Sequence, residues 1–118
     1  MAKTVDRHKR LGIPRRFQIH GHRITVKILT PAGWQRAKFP RDSVGIYDPT
    51  THVIGLRAEL GDTEMQQVFC HELTHALLDE MNHKLSFNEV FVDNFGSLLA
   101  QALSSFDSNQ KGKTCRSM

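Results

Sequence analysis

Two histidines four residues apart, with a glutamate directly after the first, stand at His71-Glu72-Leu73-Thr74-His75. On a helix this spacing projects both imidazoles from one face, one turn apart, where both can hold a Zn²⁺ ion through ring nitrogens. Glu72 then lies beside the metal rather than under it, within reach of a water whose pKa the metal lowers. A glutamate so placed takes the water's proton during attack on a carbonyl and passes it to the leaving amine. Shuffling this composition produces the motif by chance in roughly 2% of chains. The motif therefore needs a helix around it and a third ligand.

The spacing HExxHxxGxxH is not met, because Leu78 stands at the glycine position and Met81 at that of the last histidine. His83 is available as a third ligand, but Asn82 and Lys84 around it read as a loop. Glu89, in Asn88-Glu89-Val90-Phe91-Val92-Asp93, falls in the first turn of a following helix, which an antiparallel hairpin would bring back to the first. Asp93 is one turn further on the same face, where it can orient a ligand histidine. Each carboxylate has a simpler alternative. Ser86-Phe87-Asn88-Glu89 is also a capping box, with Glu89 serving the helix N-terminus, and Asp93 can be an exposed helix acid. A Glu89 that binds metal requires the cap to come from another residue.

These residues need elements to carry them. Phe17–His20 and Ile24–Leu29 read as strands joined around Gly21-His22, and Pro31-Ala32-Gly33 breaks the run, leaving Trp34–Arg41 as loop or short edge strand. Val44–Tyr47 and His52–Leu56 flank the turn signal Asp48-Pro49-Thr50-Thr51. After Gly61 the period changes to helical. Thr63 and Gln66 form a capping box, Met65, Phe69, Leu73 and Leu77 form an apolar stripe, and the helix extends to about Asn82. A second helix is expected from about Ser86 to Ser105, with Phe91, Phe95, Leu98, Leu99, Ala102 and Leu103 at helical spacing. A β meander followed by two helices makes an α+β domain with a small antiparallel or mixed sheet.

At 118 residues the chain is one domain. It lacks an apolar run long enough to span a membrane, and its basic N-terminus has no apolar h-region, so a cytoplasmic protein with no membrane partner is expected. Cys70 and Cys115 do not make a disulfide framework. Cys70 reads as a small buried residue and Cys115 as a free thiol in the tail. The net charge of +4 conceals a split: +10 over residues 1–41, −9 over 42–107 and +3 over 108–118. The expected organisation is a flexible basic arm at 1–16, a single domain at 17–106 and a polar tail at 107–118. The arm could make weak contact with nucleic acid through counterion release, although no nucleic-acid motif accompanies it.

His71–His75 followed by Asn88–Gly96 resembles the paired signature of thermolysin-type gluzincins. The resemblance covers about 26 residues, with 13 between His75 and Glu89. It implies zinc bound by His71, His75 and Glu89, Glu72 as general base and Asp93 hydrogen-bonded to a ligand histidine. The whole chain also resembles the small zincin-like metallopeptidase domains of phages and prophages. That implies a zincin-like fold, one Zn²⁺ per chain, and a peptide or protein substrate, cleaved in the host cytoplasm if the chain is phage-encoded. No counterpart of thermolysin's large helical domain, with its oxyanion-stabilising His and Tyr, is expected after the second helix.

Tyr47, His52, Arg57 and His83 are the candidates to replace that electrophile. Tyr47 can equally be a core aromatic, and His52 a solvent-facing strand residue. His8, His20 and His22 read as surface residues without a partner at ligand spacing, Trp34 as sheet packing, and Asp79 as either near the ligand face or exposed. Residues 52–56 either form an edge strand that pairs with extended peptide or are simply covered by a loop. The expected function is a zinc metallopeptidase. The alternatives are a catalytically weak or inactive zinc or peptide-binding module, and an accessory protein tethered to nucleic acid by its basic arm.

Overall fold

The computed structural model describes residues 6–112, and the side chains of residues 6–106. In chain order the elements are α1 (Arg7–Leu11), β1 (Arg16–Ile19), β2 (His22–Leu29), α2 (Pro31–Arg36), β3 (Gly45–Asp48), β4 (Val53–Arg57), α3 (Asp62–Glu80), a 3-10 turn (Lys84–Phe87) and α4 (Glu89–Gly112). This is an α+β fold in which a small mixed sheet is followed by two long helices.

The sheet order is β1-β2-β4-β3. β1 and β3 run antiparallel to their neighbours, whereas β2 and β4 are parallel, pairing Thr25 with Val53 and Leu29 with Arg57. The expected meander is thus replaced by a crossover, and α2 is the crossover element. Pro31-Ala32-Gly33 starts a helix instead of breaking structure: Thr30 accepts the Gly33 amide at 3.1 Å, and Pro31 occupies a first-turn position where no N–H is needed. Trp34 is consequently helical and buried, its indole donating to Pro40 O at 2.8 Å. The crossover also makes β4 a central strand, with Ile54 and Leu56 wholly buried. The free edge next to the long helices belongs to β3, so residues 52–56 cannot be the peptide-pairing edge.

The N-terminal segment is tied down from Asp6 onward, contrary to the expected flexible arm. Asp6 caps α1, Ile13 is buried, and Arg7 donates to Ala58 O at 2.7 Å and Leu60 O at 2.8 Å. Arg7 and Arg10 both engage Asp62, in the first turn of α3. A guanidinium can satisfy carbonyls and a carboxylate together, which a count of charges does not reveal. Residues 1–5 lie outside the described part. The capping box at Thr63 and Gln66 is absent too: Gly61 is the N-cap, and the Gln66 amide instead donates to Leu11 O at 3.0 Å.

α3 ends at Glu80, Asn82 follows with φ of 54°, and the 3-10 turn reverses the chain into α4. Asn88, not Ser86, caps α4, accepting the Phe91 amide at 3.0 Å. α4 continues past Ser105 to Gly112, so the expected tail begins as helix; residues 113–118, including Cys115, lie outside the described part. The expected α4 stripe is not the buried face: Phe91 and Leu99 are half-buried and Phe95, Leu98, Ala102 and Leu103 are exposed, whereas Val92, Gly96 and Ala100 are buried instead. Among the described residues no helix is long and apolar enough to cross a membrane.

Candidate metal centre

The centre is built where α3 and α4 cross. His71 and His75 project from one face of α3, with ring centroids 5.0 Å apart. The Glu89 carboxylate, on the first residue of α4, straddles them: Oε1 lies 3.1 Å from His71 Nε2 and Oε2 lies 3.3 Å from His75 Nε2. Glu89 is free to do so because Asn88 makes the cap. On the other side of the His71 ring, Nδ1 lies 3.5 Å from Asp93 Oδ1. One donor atom each from His71, His75 and Glu89 falls within 4.8 Å of the others. Two imidazole nitrogens and a carboxylate oxygen gathered so closely are a donor set that suits a zinc-class ion.

Two glycines set the distances. A Cβ on Gly96 would come within 2.9 Å of His71 Cα and 3.0 Å of His71 N, so α4 meets α3 backbone to backbone at the level of the first histidine. That contact draws Glu89 and Asp93, two turns and one turn earlier on α4, onto the His71 ring. A Cβ on Gly45 would lie 2.4 Å from Val68 Cγ1 and 3.4 Å from Glu72 Cγ, so β3 also rests directly on α3. Neither glycine was singled out by spacing arguments. The available signal was an isolated glycine inside a helical or strand pattern, which often marks close backbone approach.

Glu72 lies beneath β3 with 7% of its surface exposed. Burial, and after it the charge of Glu89, pushes its carboxyl up to about 7, while the Tyr47 backbone amide pulls the other way. A bound dication would favour the ionised form again. His71, His75, Glu72, Glu89 and Asp93 all line one open cleft of about 820 Å³, with β3 along one wall.

Residues 20–103, from β2 through most of α4, match the family model Peptidase M78, described as an IrrE N-terminal-like domain. The chain belongs to this family. No curated protein and no solved structure gives a significant match. The M78 assignment makes the chain a small zincin-like, peptidase-like domain, in agreement with the resemblance drawn from the two motifs. The matched stretch includes every residue around the M78 cleft and excludes α1 and β1.

The four electrophile candidates separate. Tyr47 lines the M78 cleft, but its hydroxyl is enclosed and has no hydrogen-bond partner among the described residues. Burial and the charges of Asp79, Glu80 and Asp48 push the phenol up to about 12. Arg57 is turned away: its guanidinium donates to Ser43 O at 2.6 Å and Arg41 O at 2.8 Å and stacks on Trp34. His83 caps the 3-10 turn, its Nδ1 accepting the Leu85 amide at 3.1 Å, and so is not gathered with the donors. His52 packs against His22 at the end of the sheet, with ring centroids 4.6 Å apart, outside the cleft. Asp79 does reach the cleft. Cys70 is buried, which pushes its thiol up to about 11 and suits a packing role.

Proposed function

We propose that this M78-family chain is a zinc-dependent peptidase in which His71, His75 and Glu89 hold one Zn²⁺ and Glu72 is the general base. The observation that carries the reading is the convergence of these four side chains on one cleft beside a free strand edge. Zinc would supply a Lewis acid that polarises the scissile carbonyl and acidifies the attacking water. Glu72 would receive that water's proton and deliver it to the leaving amine nitrogen. Asp93 would accept from His71 Nδ1–H, fixing the tautomer that leaves Nε2 free as a donor atom.

The substrate class is an extended peptide or protein segment. β3 has an unpaired edge and lines the cleft, so a peptide can add there as a strand, with main-chain hydrogen bonds supplying affinity. The lining includes Asp42, Glu64 and Asp79 besides the three site carboxylates Glu72, Glu89 and Asp93, and no described Lys or Arg, which favours cationic segments. A nucleic-acid contact through residues 1–16 has less behind it, since Arg7, Arg10 and Arg15 already face Asp62 and Asp6.

The test is peptide cleavage by the wild type and by Glu72→Gln, with zinc content measured in both. Cleavage lost with zinc retained supports the peptidase. Equal cleavage by the two proteins removes Glu72 from the chemistry. A second reading, a zinc-dependent peptide-binding module, draws on the enclosed Tyr47 hydroxyl and the lack of a described cation in the cleft. Peptide binding without turnover in the zinc-loaded wild type would select it.

A further inference from the structure

A second group of metal-ligating side chains lies outside the cleft. His22 opens β2, His52 immediately precedes β4, and Glu80 is the last residue of α3. The parallel pairing of β2 with β4, continued by the Thr25 amide donating to His52 O at 3.0 Å, sets the two imidazoles side by side. Their centroids are 4.6 Å apart and the rings are tilted by 31°. One donor atom from each of His22, His52 and Glu80 lies within 4.8 Å of the others, the same closeness found for His71, His75 and Glu89. His20, in the β1–β2 turn, stands beside this group, its Nδ1 3.3 Å from Glu80 Oε1. None of the four residues lines the cleft.

Two further observations separate this group from a chance meeting of surface side chains. The Glu80 side chain is only 10% exposed, and among the described residues no Lys or Arg lies within ion-pair distance of it. A carboxylate so far withdrawn from water needs a cation or several donors to offset its lost hydration. In addition, His20 and His52 both adopt left-handed backbone conformations, with φ of 52° and 57°. Such conformations are uncommon for residues with a side chain, and two of them aim imidazoles at the same carboxylate-bearing corner.

We propose that His22, His52 and Glu80, with His20 as the fourth donor, form a second site for a divalent transition ion of the zinc class. Imidazole and carboxylate together select zinc-like ions over magnesium or calcium. Four protein donors make a closed site, which is structural in character, unlike the open cleft. The ion ties the β1–β2 turn, the β3–β4 turn and the C-terminus of α3 together.

The full chain is equilibrated with Zn²⁺, freed of unbound metal on a desalting column and analysed for zinc. The wild type is expected to retain two ions per chain. His22→Ala and His52→Asn, whose asparagine tolerates the left-handed backbone, are each expected to retain one. A wild type that holds no more zinc than His22→Ala overturns the proposal, as does full retention in both variants. Unfolding supplies a second readout, since an ion that binds the folded state raises the midpoint. Zinc should raise it in His71→Ala and not in the double variant His22→Ala/His71→Ala; equal shifts in the two overturn the proposal. The cleft reading fails separately, by zinc retention in His71→Ala equal to that of wild type.

Discussion

Helices α3 and α4 supply the same cleft, yet they are held in different ways. α3 lies between the sheet and α4, and Met65, Phe69, Cys70 and Ala76 are buried along it together with Glu72 and Thr74. α4 touches α3 through Val92, Gly96 and Ala100, while Val90, Phe95 and Leu98 face outward. Its two site carboxylates are equally open, Glu89 at 70% and Asp93 at 77% side-chain exposure. The imidazole half of the centre is therefore set by the core, and the carboxylate half by one backbone crossing and one cap. Changes on α3 should alter stability and chemistry together, whereas changes to the exposed carboxylates of α4 should act mainly on metal affinity.

The largest effect should come from the most buried site group. A carboxyl that holds its proton more tightly in the folded chain stabilises the fold fully below pH 4.5 and loses that contribution as the pH rises to about 7. Chemical denaturation of the metal-free protein should show this decline, with an upper limit of about 3 kcal/mol. Glu72→Gln should flatten the profile; an unchanged slope would break the link between burial and chemistry on α3.

On α4, Gly96→Ala places a methyl group against the His71 backbone. Overpacking of this kind costs about 1–3 kcal/mol, and the helices must separate at the level of the ligands. Denaturant midpoint and zinc affinity should both fall, and a variant with wild-type zinc affinity would mean that the crossing does not position Glu89. Asp93→Ala leaves the packing alone, so it should weaken zinc binding by about 10–100-fold at nearly constant stability. Equal losses of stability and zinc affinity would erase the contrast between the helices. Smallest of all, Asn88→Ala removes the α4 cap at a cost of about 1 kcal/mol. Calorimetry should register that loss, together with a modest fall in zinc affinity as the first turn carrying Glu89 frays.

Much of this arrangement can be read from periodicity. The helix around His71, the hairpin return to Glu89 and the strand pairs either side of Gly21 and Asp48 all follow from local pattern. What local pattern does not carry is competition between partners. Gln66 has a sound capping partner in Thr63, yet Leu11 O takes its amide because the N-terminal segment packs there. Ser86 and Asn88 are both plausible caps, and only the geometry of the 3-10 turn decides for Asn88. Pro31 reads as a breaker or as a first-turn residue depending on Thr30 before it. The parallel β2–β4 pair, with the corner that joins His22 to His52, depends on a crossover that strand spacing alone does not determine.

The Asn82 turn carries a kinetic consequence. It folds α3 and α4 into a hairpin, so His71 meets Glu89 across a separation of 18 residues, whereas His20 meets Glu80 across 60. Loop-closure entropy grows with the logarithm of length, so the longer closure costs about 1 kcal/mol more before any contact offsets it. The cleft can gather its donors from short-range encounters within one hairpin, ahead of the slower pairing of distant strands. The corner at the end of the sheet comes together only when the two halves of the chain dock, which makes it a reporter of completed folding.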